Sequence, residues 1–144
     1  MAAEHAEEFS AGGLVVRDGK VLVIVPTRRS ATGERVLALP KGHPNPGESA
    51  LAAAAREVRE ETGIEVEPIE QLGEVRYWYQ RKGRRIAKRV AFFLFAPNGG
   101  SLEDHDDEVE EVRWMALEQA QRELSYSGER EMVVRAIART RDSA

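Results

Sequence analysis

The apolar positions fall into short runs separated by polar stretches bearing Gly and Pro, the spacing of a strand-rich domain with few helices. "FSAGGLVV" and "VLVIVPT" read as two strands around a turn at Asp18-Gly19. "RRSATGER" is a polar loop, and "VLALP" a short strand ended by Pro40. The prolines and glycines of "KGHPNPGE" forbid regular structure there. Over residues 49–62 the pattern turns helical, with Ser49 as the N-cap, a run of alanines, and Gly63 as the stop. "IEVEPIEQLGEVRYWYQ" and "RRIAKRVAFFLFA" read as extended segments joined by a turn at Lys82-Gly83. "PNGGSLEDHDDEVEE" reads as a loop and "VRWMAL" as a short strand. A helical turn over 118–122 precedes a last helix over about 128–141, whose buried stripe is Met132, Val133, Ala136 and Ile137. Strands mixed with one central and one terminal helix predict an α/β layered domain, with a mixed sheet between helices.

The first helix breaks a local rule. Glu57, Glu60 and Glu61 crowd its C-terminal end, and the pairs Glu57/Glu60 and Glu57/Glu61 are spaced to share a face. The helix dipole disfavours anions there by about 0.3–1 kcal/mol each. On a helical wheel Leu51, Ala55, Val58 and Thr62 form the core face, and the three glutamates occupy a roughly opposite, exposed arc. Behind a tight Gly/Pro loop they form an oxygen-rich site suited to a hard divalent cation such as Mg²⁺, which would neutralise the crowding. A merely solvated acidic face, paired with Arg56 and Arg59, is the alternative.

Composition narrows the classes. A chain of 144 residues, 42% hydrophobic and 32% charged, suits a single ordered domain, taken as 9–144 after an acidic tail at 1–8. The absence of cysteine removes disulfides, thiolate metal sites and thiol nucleophiles, and fits a reducing, cytoplasmic compartment. The longest apolar run, over 90–96, is too short to span a bilayer. A net charge of −4 gives no general reason to expect nucleic acid or a membrane as partner.

Spacing then decides between the two readings of the helix. Gly42, Glu48, Arg56, Glu57, Val58, Glu60, Glu61, Gly63 and Ile64 fit G-x5-E-x7-R-E-U-x-E-E-x-G-U at every fixed position, U being a bulky aliphatic residue. This resembles the signature box of the Nudix hydrolases. "SAGGLVV", the strand of Trp114 and the terminal helix extend the likeness loosely over most of the chain. The resemblance implies an α/β/α sandwich and hydrolysis of a nucleoside diphosphate linked to another moiety, with Mg²⁺ or Mn²⁺ and water. It implies metal-binding roles for Glu57, Glu60, Glu61 and the backbone carbonyl of Lys41, and has Glu48 and Arg56 hold the loop against the helix and orient Glu57. Gly42, Gly47 and Gly63 would serve backbone geometry. The general base is a box glutamate or one from the acidic run "EDHDDEVEEVRW", where Glu108 is the choice by resemblance and Asp107, Glu110 and Glu111 compete. A Nudix-fold sensor would be free to lose the carboxylates, which are all present.

The substrate is less legible. "LPKGHPNPGES" resembles the loop of diadenosine polyphosphate hydrolases, and "PKG" also that of diphosphoinositol polyphosphate hydrolases. "RIAKRVAFFLFA" and "LSYSGERE" resemble both the dinucleotide enzymes and house-cleaning nucleoside triphosphate pyrophosphohydrolases. Residues 76–89 hold Arg76, Arg81, Lys82, Arg84, Arg85, Lys88 and Arg89 with Tyr77, Trp78 and Tyr79 interleaved, which suits a polyphosphate carrying a stackable base. Edge hairpins also carry cations simply to prevent aggregation. Lys41 and Lys88 are the favoured substrate cations by resemblance, Arg76 and Tyr77 belong to the same hairpin, and Tyr126 is a candidate for base or phosphate contact. His43 lies at a variable box position and reads as incidental; His5 and His105 suggest no histidine metal site. A small-molecule nucleotide is the expected partner, and the protein a monomer or homodimer.

Overall fold

The computed structural model describes residues 5–142. Its elements are β1 (His5–Arg17), β2 (Lys20–Pro26), β3 (Lys41–Gly42), α1 (Ala50–Thr62), β4 (Ile64–Arg81), β5 (Arg84–Gly100), a 3-10 turn (Leu102–Asp104), β6 (Val109–Ala116), α2 (Leu117–Glu123) and α3 (Ser127–Asp142). The two hairpin turns form where expected, because Asp18-Gly19 and Lys82-Gly83 both adopt positive φ, the geometry that matches strand twist. The sheet order is β4-β5-β1-β2-β6, with β3 paired to β1. β1 and β5 run parallel from His5 opposite Arg85 to Val15 opposite Phe95, and the other pairs are antiparallel, so the sheet is mixed.

Alternation along β5 separates two cores. Ala91, Phe93 and Phe95 pack with Ala53, Ala54 and Val58 of α1, while Phe92 and Leu94 pack with Met132, Val133, Ala136 and Ile137 of α3. The result is the expected α/β/α sandwich. Gly13 permits the α1 side, since a Cβ there would press into the Phe95 ring and Val58. No helix among the described residues is long and apolar enough to cross a membrane.

Three expectations about the strands and their connections need correction. Residues 5–8 are not a tail: they extend β1 against the start of β5, and Glu8 accepts hydrogen bonds of 2.5 Å from both Tyr79 Oη and Arg81 Nη2. Their acidity complements the basic hairpin, which a reading of local polarity misses; residues 1–4 lie outside the described set. "VLALP" forms only a single bridge, Ala38 with Ile24. The Leu37 N–H goes instead to Ser125 Oγ and the Leu39 N–H to Glu129, so this segment is fastened to the α3 side of the sheet. Finally, β5 continues through Gly100, and β6 already begins at Val109.

α1 keeps its caps. Ser49 Oγ accepts from the Ala52 N–H at 3.1 Å, and Gly63 is left-handed with its N–H on the Arg59 carbonyl at 2.8 Å. Replacing Ser49 by Ala is expected to cost about 1 kcal/mol of stability, read as a lower urea midpoint with an unchanged slope. The buried face, however, is Ala53, Ala54, Val58 and Thr62, while Leu51 is exposed. That rotation turns Glu57 and Glu61 towards the sheet and not away from it, and this places the site.

Candidate active site

The residues that meet here come from a helix, a loop and a two-residue strand. Four residues N-terminal to Glu61, Glu57 occupies the same side of α1, and the two carboxylates are in hydrogen-bond contact. Burial, then the hydrogen bond and charge of Glu57, push the Glu61 carboxyl well above the usual carboxylate range; Lys41 opposes the shift. The Lys41 backbone amide lies beside Glu61 and also counters the shift. Gly42 makes room: a Cβ there would collide with the Glu57 carboxylate.

Arg56 organises the surroundings. Its Nε and Nη2 grip the Glu48 carboxylate at 2.8 and 2.9 Å, and Nη2 also donates to the His43 carbonyl at 3.0 Å. Nη1 reaches Glu57 at 2.9 Å and both oxygens of Glu60 at 3.1 and 3.2 Å. Glu48 in turn accepts the Asn45 N–H at 2.9 Å, which closes the loop onto the helix. Its carboxyl is held down to about 2 by the Arg56 hydrogen bonds and then by that N–H. The planar fork of arginine suits such a divergent set of acceptors.

Among the described residues, no three acidic or imidazole groups converge as a ready-made metal cage. Two of the three expected carboxylates face each other, and Glu60, 42% exposed, is held by Arg56. The donor chemistry nevertheless fits a hard dication. The Glu61 carboxyl, disfavoured as an anion beside Glu57, would be relieved by a cation, and oxygen ligands are what Mg²⁺ prefers.

Lys41 connects this pair to a groove on the other side of the sheet. Its Nζ lies 2.7 Å from Glu129 and 4.9 Å from the centre of the Tyr126 ring. Burial favours the neutral amine, but the charge and hydrogen bond of Glu129 outweigh it and hold Lys41 above its ordinary value. A groove of about 570 Å³ is lined by Lys41, Arg76, Tyr77, Tyr126 and Glu129, among others. Four of the five sequence-derived substrate residues therefore share one groove. The fifth, Lys88, lines a second groove of about 540 Å³, with Trp78 and Arg89, that also borders Arg76 and Tyr77. Lys88 donates to Ser10 Oγ at 2.7 Å, and burial lowers its pKa against the opposing charge of Glu8. Ser10 Oγ lies 3.5 Å from His43 Nδ1, and that nitrogen lies 3.0 Å from the Phe9 carbonyl.

Glu108 is exposed and its backbone is mounted from both sides. Its carbonyl accepts from Thr27 N and Oγ1 at 2.9 and 3.2 Å, and its N–H donates to Asp106, whose own N–H holds the Glu60 carbonyl at 2.8 Å. The acidic loop is thereby tied to the last turn of α1. Its competitors Glu110 and Glu111 are engaged by Arg29, Arg35 and Arg113.

Sequence reasoning missed Glu8, Ser10 and Glu129. A signal existed for the last: the stripe at Met132 and Val133, carried back one turn, falls on Glu129.

A family model for the NUDIX domain matches residues 8–136. A Mycobacterium tuberculosis protein named as mutator protein MutT4 is 40% identical over 131 residues, 87% of this chain and 52% of its own length. The mouse bis(5'-nucleosyl)-tetraphosphatase [asymmetrical] is 37% identical over 82 residues, 56% of each chain. The chain thus spans little more than half the length of these curated relatives. A NUDIX hydrolase structure from Nitrosomonas europaea superposes with a TM-score of 0.75 at 21% identity, over 92% of this chain and 89% of that one, a likeness of fold. With the matched segment running from the first strand into the last helix, the chain belongs to the NUDIX domain family.

Proposed function

We propose that this chain is a divalent-cation-dependent hydrolase that cleaves a phosphoanhydride bond in nucleoside diphosphate-linked substrates, with diadenosine polyphosphates as its substrate class. The observation that carries the reading is the placement of Lys41, whose backbone lies beside Glu61 while its ammonium lines a groove with Tyr77 and Tyr126. A polyphosphate that starts in that groove and continues past Lys41 would bring its anhydride to the carboxylate pair.

Glu57 and Glu61, with Glu60 and the Lys41 carbonyl, would hold Mg²⁺ or Mn²⁺. When bound, the cation supplies charge neutralisation and a more acidic water. The protein's own groups do the rest. Arg56 keeps Glu57 turned inward, and Lys41 and Arg76 bind phosphoryl oxygens. Tyr77 and Tyr126 offer ring faces to a base. Glu108, or one of the α1 carboxylates, takes the proton of the attacking water. Water oxygen bonds to phosphorus, the bridging oxygen departs with its electron pair, and diadenosine tetraphosphate yields ATP and AMP.

The second groove supports a two-ended substrate, because it shares Arg76 and Tyr77 with the first and adds Lys88 and Trp78. The mouse relative is named for such a substrate. A nucleoside triphosphate pyrophosphohydrolase is the second reading, favoured by the groove beside Lys41 alone, whose size suits one nucleotide.

Chromatography of products after incubation with Mg²⁺ separates them. ATP plus AMP from diadenosine tetraphosphate, abolished by excess chelator and restored by Mg²⁺ or Mn²⁺, is the expected result. Preferential pyrophosphate release from triphosphates would replace the first reading with the second. Turnover that persists in chelator would overturn the metal-dependent mechanism.

A further inference from the structure

Glu129 is 3% exposed, the only charged side chain among the described residues to be so buried. A carboxylate withdrawn from water to that degree is costly unless every lone pair finds a donor. Here Oε1 accepts the Leu39 N–H at 2.8 Å and Oε2 accepts Lys41 Nζ at 2.7 Å. Both donors belong to the short segment that crosses between the two faces of the sheet. Gly42, one residue further along that backbone, abuts the Glu57 carboxylate so closely that a Cβ would collide with it, and the Lys41 amide lies beside Glu61. The docking of α3 does not depend on this contact. Met132, Val133, Ala136 and Ile137 bury its apolar stripe, and Arg135 Nη1 holds the Leu72 carbonyl at 3.0 Å.

We propose that Glu129 is a positioning residue for hydrolysis: it pins residues 39–41 so that the Lys41 amide stays beside Glu61 while the Lys41 ammonium stays over Tyr126. The first turn of α3, which lines the groove, thereby sets the geometry of a carboxylate pair on the opposite face of the sheet. This inference rests on the reading of Glu57 and Glu61 as the catalytic centre.

Glu129→Gln is the informative substitution. A glutamine can still accept the Leu39 N–H, but its amide offers the Lys41 ammonium a donor where an acceptor is needed. The variant is compared with wild type and with Arg135→Ala, which weakens α3 docking outside the site. Three quantities are measured: kcat on diadenosine tetraphosphate, Mn²⁺ affinity by electron paramagnetic resonance, and thermal midpoint. Glu129→Gln is expected to lower kcat at least about tenfold and weaken Mn²⁺ binding by about tenfold, the scale of a lost outer contact to a ligand. Arg135→Ala is expected to lower the thermal midpoint with kcat and Mn²⁺ affinity near wild type. Unchanged kcat and Mn²⁺ binding in Glu129→Gln overturns the proposal, and so does an Arg135→Ala variant that reproduces both losses. A wild type that cleaves nothing refutes the hydrolase reading separately, and Mn²⁺ affinity still judges Glu129.

Discussion

Glu61→Gln is expected to lose about 10³-fold in kcat while melting at or above the wild-type temperature. The two halves of that result have one cause. Glu61 is half-buried beside Glu57, and its ionised form is disfavoured by both desolvation and like charge. Glutamine keeps the shape, can donate its amide to Glu57, and removes the repulsion. Folding therefore loses nothing, while the pair loses the charge needed to hold a dication or take a proton. Steady-state kinetics and a thermal melt on the same preparation check it. A folded Glu61→Gln protein with wild-type turnover would remove the catalytic assignment of α1.

Arg56→Ala is expected to act on both stability and activity. One guanidinium serves Glu48, Glu57, Glu60 and the His43 carbonyl, and its side chain is only 18% exposed. Removing it leaves Glu57 and Glu60 crowded on one side of α1 and Glu48 without its partner, for a loss of about 3 kcal/mol. Glu57 then loses the contact that orients it, and kcat is expected to fall by about 10². Arg56→Lys retains the charge but not the fork, so it is expected to recover part of the stability and little of the activity. Urea unfolding beside kinetics separates the two effects. An Arg56→Lys variant with full turnover would show that charge alone suffices.

Much of this arrangement was legible in the chain. Caps, turns and alternation located α1, both hairpins and the terminal helix, because each depends on residues adjacent in sequence. The box spacing singled out the glutamates for the same reason. What escaped depends on partners far along the chain. Leu51 reads as core on a wheel, yet the layer above α1 is set by glycines and alanines that bring Ala53 and Ala54 onto the sheet. Glu8 reads as tail until Tyr79 and Arg81 are folded beside it. "VLALP" has the composition of a strand, but the groups that take its Leu37 and Leu39 N–H bonds lie in residues 125 and 129. Glu129 itself looks like an ordinary first-turn acid until the segment it receives is in place.

The parallel pairing of β1 with β5 also dictates how the chain must assemble. Every partnered residue lies 80 positions from its mate, as His5 from Arg85 and Val15 from Phe95. The β4–β5 hairpin, closed by Lys82-Gly83, is local and can form early. The opening strand has nowhere to go until that hairpin and α1 exist, so its closure entropy comes due late and folding is slow for a chain of this size. As β1 is synthesised before β5 and pairs near the end, it waits as an exposed apolar strand, and the acids at its start keep that waiting strand in solution.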